Sequence, residues 1–164
     1  MQRFKRIALI VALLIFCVGC DQTTKSLARA HLQDRGTVSF LGDTLRLQYA
    51  ENPGAFLSLG ASLAHGWAVA AFTIGGIVMI AAALSYALLA SKPTRLQIVA
   101  LALICGGGIG NLVDRVRYDG HVTDFLNVGL GTIRTGIFNV ADVALMVGVG
   151  LFILGYPRQN AGQA

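Results

Sequence analysis

The sequence predicts an integral membrane protein, mainly α, with four transmembrane helices and a small extracytoplasmic β-sheet or hairpin layer. Three observations lead there. Of the 164 residues, 55% are apolar. Only 13% are charged, where a soluble domain carries roughly 25%. The apolar residues also gather into four stretches, and a spanning helix needs about 20 mostly apolar residues. The length suits one domain, taken as residues 1–164, with no repeat, linker or low-complexity tract. The apolar content excludes intrinsic disorder, and three cysteines are too few for a disulfide scaffold.

Spans are expected over approximately 7–29, 66–90, 96–115 and 137–156, leaving 30–65 and 116–136 as extracytoplasmic segments. The first apolar stretch is short in itself and spans by continuing into the amphipathic segment after Asp21. The second carries no charge. The excess of basic residues, net +5, would suggest nucleic acid in a soluble protein. Here it acts as a topology signal. Arg3, Lys5 and Arg6 precede the first stretch, Lys92 and Arg95 separate the second from the third, and Arg158 follows the fourth. No acid accompanies them. By the positive-inside rule both termini and the 91–95 loop lie in the cytoplasm. Within the first outer segment, Leu45-Arg46-Leu47-Gln48-Tyr49 alternates apolar and polar, and Gly42-Asp43 supplies a turn. A hairpin of 38–41 with 45–49 follows.

Several familiar chemistries are absent. His31, His65 and His121 are scattered without metal-ligand spacing. Lys25 and Ser26 are adjacent, so on a helix they do not face each other and form no serine–lysine dyad. Gly106-Gly107-Gly108-Ile109-Gly110 lacks the Lys-Ser/Thr ending of a phosphate loop, and Gly106 and Gly110 read as a close-packing face. Cys17, Cys20 and Cys105 read as small packing residues. The segment ending in Val18-Gly19-Cys20 looks like a lipoprotein signal, but with Cys17 three places before the cysteine.

Carboxylates and asparagines at the rim remain. Asp114 closes the third span, where an acid opposes the helix dipole; the neighbouring Arg115 is a candidate to offset it. Asn139 and Asp142 have the spacing of a capping box at the start of the fourth span. Asp142 is equally an ionisable residue in apolar sequence, which marks a functional candidate. If the 123–138 segment folds back, Asp124 can meet Asp142. Two such carboxyls share a proton, so one can activate water while the other polarises a carbonyl.

Five blocks in chain order now carry a resemblance: Asp21-Gln22-Thr23-Thr24-Lys25, Asn52-Pro53-Gly54-Ala55, Gly107 through Arg115, Val122-Thr123-Asp124-Phe125, and Phe138-Asn139-Val140-Ala141-Asp142. Together they resemble the lipoprotein signal peptidase (signal peptidase II) family of bacterial membrane aspartic proteases. The resemblance implies Asp124 and Asp142 as the catalytic dyad. It implies Asn52, Gly54, Asn111, Arg115, Asn139 and Asp21 as substrate-binding or supporting residues. The substrate it implies is a diacylglyceryl-modified prolipoprotein, cut just before the lipidated cysteine. It further implies a short periplasmic loop over the active site, location in the bacterial cytoplasmic (inner) membrane, membrane lipid as a partner, and no nucleic acid, metal or organic cofactor. One departure is that Phe56 follows Ala55 where many members have a second alanine. Because Asp21 falls in a motif block, residues 1–20 are read as a retained span. The rival reading is a non-enzymatic membrane protein such as a transporter subunit, with Asp114 and Asp142 along one polar pathway.

Overall fold

The computed structural model describes residues 2–53 and 65–155. Four helices, α1 (Arg3–Leu32), α2 (His65–Leu89), α3 (Arg95–Arg117) and α4 (Val140–Leu154), surround one another, and four short strands gather at one end. Helices α1, α2 and α3 are long and apolar enough to cross a membrane; α4, with 15 residues, is a shorter apolar helix. Helix α4 begins later than the stretch from residue 137 suggests. Phe138 is held in a β-bridge to Leu126, so the helix starts only after Asn139. Large apolar side chains stand exposed along the helices, among them Ile15, Phe16, Ile74, Val78, Met146 and Ile153. That pattern fits a hydrocarbon solvent rather than water. The protein is a membrane protein.

Helix α3 is the hub, packed against each of the other three helices. Its glycine run explains how. Successive residues on a helix point about 100° apart, so adjacent glycines face different neighbours. A Cβ on Gly106 would sit 2.7 Å from Cys17 Cβ of α1. One on Gly107 would sit 2.3 Å from the Ala141 carbonyl oxygen of α4, and one on Gly108 would sit 3.0 Å from Ile80 of α2. Gly148 of α4 returns the contact, its virtual Cβ 2.8 Å from the Ala100 carbonyl. The close-packing face is therefore internal, and Cys17 and Cys105 are buried free thiols within it.

The end opposite the sheet is closed by one basic side chain. Arg6 Nη1 donates to the carbonyls of Leu88 and Ala90 at 3.2 and 2.9 Å, satisfying groups that the end of α2 leaves open. Thr94 then starts α3 with a capping box to Gln97. Beside these anchors Ile10, Ala87, Ile98 and Leu101 form the apolar core.

The strands are β1 (Val38–Phe40), β2 (Leu45–Asn52), β3 (Val122–Leu130) and β4 (Ile133–Arg134), in sheet order β1-β2-β3-β4 and antiparallel throughout. The expected hairpin is present as β1 and β2, with Val38 opposite Leu47 and Phe40 opposite Leu45. Strand β2 runs three residues beyond the expected end, to Asn52, because β3 pairs along it. Ala50 lies opposite Asp124 and Asn52 opposite Val122, after an irregularity between Leu47 and Ala50. At the turn from α3 into β3, Gly120 takes φ +84°, and a Cβ there would strike Val69 at 2.4 Å. Only glycine fits that turn.

Gly107→Ala is expected to lower the thermal stability of the detergent-purified protein by about 1–3 kcal/mol, through overpacking against the α4 backbone. Gly75→Ala, where nothing lies within 4 Å, is expected to be neutral or slightly stabilising. Equal melting temperatures for the two variants would remove the α3–α4 close approach as the reason for glycine at 107.

Candidate active site

The site lies where the end of α3, the start of α4 and the β2–β3 pair meet. Phe138 positions it: its carbonyl accepts from the amides of Phe125 and Leu126 at 3.0 and 2.8 Å, and its own amide donates to the Leu126 carbonyl at 2.8 Å. The next residue, Asn139, is thereby fixed beside Asp124 of β3.

Asn139 is fully buried and serves two elements at once. Its Oδ1 accepts from the Asp142 amide at 3.0 Å, while Asp142 Oδ2 accepts from the Asn139 amide at 3.0 Å. This is the expected capping box, and it puts an acid in the first turn of α4, where the helix dipole favours it. The Asn139 Nδ2 then donates to Asp124 Oδ1 at 2.6 Å and to Asn111 Oδ1 at 3.1 Å. Asp124 takes a second donor on its other oxygen, from Asn52 Nδ2 at 2.9 Å. Asp142 takes one from Asn111 Nδ2 at 2.8 Å. One asparagine thus links both carboxyls, and each carboxyl has a further asparagine of its own.

Asp124 is only 2% exposed. Burial pushes its carboxyl up to about 6, with repulsion from Asp142 adding to the rise; the hydrogen bonds from Asn52 and Asn139 and the charge of Lys25 oppose it. The Asp142 and Asp124 charges also act on the Arg115 guanidinium.

Behind this pair lies a buried charge cluster. Lys25 is fully buried and meets Asp21 at 2.9 Å, Asp114 at 3.3 Å and Asn111 Oδ1 at 2.9 Å. Asp21 Oδ1 accepts from the Ala141 amide at 3.0 Å, so α1 satisfies a backbone donor in the first turn of α4. Asp114 accepts from the Thr123 amide at 2.9 Å and pairs with Arg29 at 3.2 Å, and Arg29 lies 3.9 Å from the Tyr118 ring centroid. Gln22 Nε2 bridges Asp21 and Asp114. The absence of a side chain at Gly110 makes room, because a Cβ there would stand 2.6 Å from Asp21 Oδ2.

The structure therefore brings Asp124, Asp142, Asn52, Asn111, Asn139 and Asp21 into one network. Gly54, with Ala55 and Phe56, lies outside the described residues. The Asp114 charge acts on Arg115, as the sequence suggested, but after those of Asp142 and Asp124. The ion pairs to Asp114 come from Lys25 and Arg29 on α1, while Arg115 reaches the Asn111 carbonyl at 3.5 Å and lies over Phe72 at 6.0 Å. Sequence reasoning placed Lys25, Gln22 and Asp114 within the motif blocks, and Asp114 among the rim carboxylates, but gave none of them a role in the site. The available signal was the Asp21–Lys25 spacing of four, which sets opposite charges on one helix face. Among the described residues no cluster of His, Cys, Asp and Glu is arranged to hold a metal ion.

Fold and site together define a helical membrane protein with two linked carboxyls at the sheet-covered end of its bundle. The chain belongs to the signal peptidase II family, whose model matches residues 13–157. It is 38% identical to the lipoprotein signal peptidase of Halalkalibacterium halodurans over 92% of each chain. With the lipoprotein signal peptidase of Leifsonia xyli it shares 36% identity over 88% of its own length, spanning 65% of that longer relative. A solved structure described as a bacterial membrane enzyme, obtained by the in meso method at 1.9 Å resolution, superposes with a TM-score of 0.78. The identity is 27%, over 90% of this chain and 92% of that one.

Two outcomes are expected from this geometry. Asp21→Ala should speed hydrogen exchange at the Ala141 amide and destabilise the fold by about 3–5 kcal/mol, since Lys25 loses a buried partner. Asp21→Asn, which keeps an acceptor, should protect that amide better. The second outcome concerns pH. The raised Asp124 carboxyl means that the folded protein holds this proton more tightly than the unfolded chain. Its contribution to stability is complete below the ordinary value of 3.8 and lost as pH rises through about 6. Melting temperature in the wild type should fall across that window relative to Asp124→Asn. Parallel curves would contradict the assignment.

Proposed function

We propose that the protein is a membrane aspartic endopeptidase that removes the signal peptide of diacylglyceryl-modified prolipoproteins, cutting just before the lipidated cysteine. The observation that carries this reading is the sharing of Asn139 by Asp124 and Asp142. A capping asparagine needs only the helix; this one also holds a buried carboxyl on a strand.

In the proposed reaction the two carboxyls hold one proton between them. The protonated member donates to the scissile carbonyl oxygen, while the ionised one takes a proton from water as the water attacks the carbonyl carbon. The tetrahedral diol then collapses: the carboxyl that took the water proton gives it to the nitrogen, the carbon–nitrogen bond breaks, and a diol hydroxyl returns a proton to the other carboxyl. The lipidated cysteine leaves with a free amine and the signal peptide with a carboxylic acid that ionises in water. Asn52, Asn111 and Arg115 surround the pair with donors for substrate backbone or developing negative charge. These steps require no metal or organic cofactor.

The proposed topology has four spans in the bacterial cytoplasmic (inner) membrane, both termini in the cytoplasm, and the dyad near the extracytoplasmic face. The whole chain 1–164 acts as one domain. Arg6 stands near the end of α2 at the basic end, while the dyad lies at the sheet end, and this supports that orientation. Helix α4 is about 22 Å long at 1.5 Å per residue, less than the roughly 30 Å hydrocarbon core. As the fourth span it sets Asp142 at or just below the lipid boundary. The rival pathway through Asp114 and Asp142 is disfavoured because Asp114 is fully buried and tied to Lys25, Arg29, Gln22 and Thr123.

Purified protein in detergent is expected to shorten a diacylglyceryl-modified prolipoprotein and to leave the unlipidated precursor intact. Asp124→Asn and Asp142→Asn should each abolish cleavage while remaining folded. Processing at the wild-type rate by either folded variant would refute the dyad.

A further inference from the structure

We infer that Lys25 is a positioning residue: by donating to Asn111 Oδ1 it turns the amide so that Nδ2 must face Asp142, and so aims one carboxyl of the pair. The inference rests on the dyad reading above and adds a residue that acts through another.

The argument is one of donors and acceptors. A lysine ammonium offers three donors and no acceptor, whereas an asparagine amide has one face of each kind. Lys25 Nζ is surrounded by Asp21 Oδ2 at 2.9 Å, Asp114 Oδ2 at 3.3 Å and Asn111 Oδ1 at 2.9 Å. Reversing the Asn111 amide would set its NH2 against the ammonium, donor against donor. It would also set that NH2 against Asn139 Nδ2, which donates to the same oxygen at 3.1 Å. Two fixed donors therefore hold Oδ1, and Nδ2 is left pointing at Asp142 Oδ1 at 2.8 Å.

Lys25 makes a chain of two hydrogen bonds to one carboxyl. Its i−4 partner, Asp21, meanwhile holds the Ala141 amide, one residue before Asp142. The ion pair on α1 grips α4 by backbone and by side chain. The charged groups around it are Asp21 and Arg29 on α1, Asp114 and Arg115 on α3, Asp124 on β3 and Asp142 on α4.

A simpler role would be a latch, with Lys25 neutralising Asp21 and Asp114 so that α1 can lie against α3. The two roles part in a neutral replacement. Lys25→Met alone strands Asp21 as a buried carboxylate and is expected to be unstable. The double variant Lys25→Met/Asp21→Asn removes the ion pair together and keeps an amide oxygen for the Ala141 N–H, while Asp114 keeps Arg29, Gln22 and the Thr123 amide. A latch is satisfied by this change; a positioning residue is not.

The test combines thermal melting, kcat and KM on a diacylglyceryl-modified prolipoprotein, and an infrared pH titration of the carboxyl band that disappears in Asp124→Asn. In the folded double variant kcat should fall on the order of 100-fold with KM little changed. Wild-type kcat in the folded double variant would overturn the inference and leave Lys25 a latch, whether or not the band moves with the lost charges. Should the double variant fail to fold, Asn111→Asp decides. With Lys25 in place, that variant presents an acceptor to Asp142 where a donor stood. A similar kcat loss supports the premise that Asp142 needs the Nδ2 donor; wild-type kcat overturns the inference. If the wild type itself cleaves nothing, the dyad reading falls separately. The inference, which rests on that reading, falls with it.

Discussion

Burying a carboxyl, with a second carboxyl close by, is the constraint around which this protein is arranged. A charge taken out of water costs several kcal/mol unless donors replace the solvent. Asp124 has almost no exposed surface, and the donors it has come from elements far apart in sequence: Asn52 on β2 and Asn139 at the head of α4. Neither donor can be in place unless β2 pairs with β3 and Phe138 bridges to Leu126. The four-stranded sheet is thus a frame that brings two amides to one carboxyl. The charge cluster on α1 and α3 does the same for the backbone of α4, through Asp21.

Such a frame holds only if the helices approach closely. Lipid offers apolar side chains no gain from association, so helix contact depends on small residues and backbone proximity. The α3 glycines supply that on three sides, and Gly110 goes further by leaving space for a carboxylate of Asp21. The same run of sequence therefore serves as packing surface for half its length and as the wall of a polar cluster for the rest. Asn111 and Asp114 follow directly on that helix, so their positions are inherited from the close packing of α3.

What could be read beforehand divides along physical lines. The apolar stretches behind α1, α2 and α3 were legible because composition alone marks them. The β1–β2 hairpin was legible because alternation and a Gly-Asp turn are local signals. Strand β3 was not: Val122, Thr123, Asp124 and Phe125 are all buried, so inward and outward positions do not alternate in polarity. The beginning of α4 was set three residues too early for a related reason, since Ile137 and Phe138 look like span but Phe138 pairs with a strand. Among site residues, the aspartates and asparagines were recovered through the motif blocks. Lys25 was passed over because a buried lysine looks like any other lysine until its partners on α3 are known. Adjacency gave Arg115 only part of its surroundings: the charges of Asp142 and Asp124 act on it before that of Asp114, and the ion pairs to Asp114 come from another helix.

The capping box and the proposed dyad were competing explanations for Asn139 and Asp142 at the level of sequence. In the structure they are one arrangement. A capping box fixes its two side chains by reciprocal bonds to backbone, so Asp142 cannot swing and Asn139 cannot turn without exposing amides of the first turn. That rigidity is what a two-carboxyl site needs, because its donors and acceptors must be aimed before substrate arrives. Asn139 has a side-chain NH2 left over once its oxygen is committed to the cap, and it is this spare group that reaches Asp124. Replacing it with aspartate or serine would keep a good helix start and lose the link to the strand. The choice of asparagine among the common capping residues is therefore the feature that capping alone does not explain.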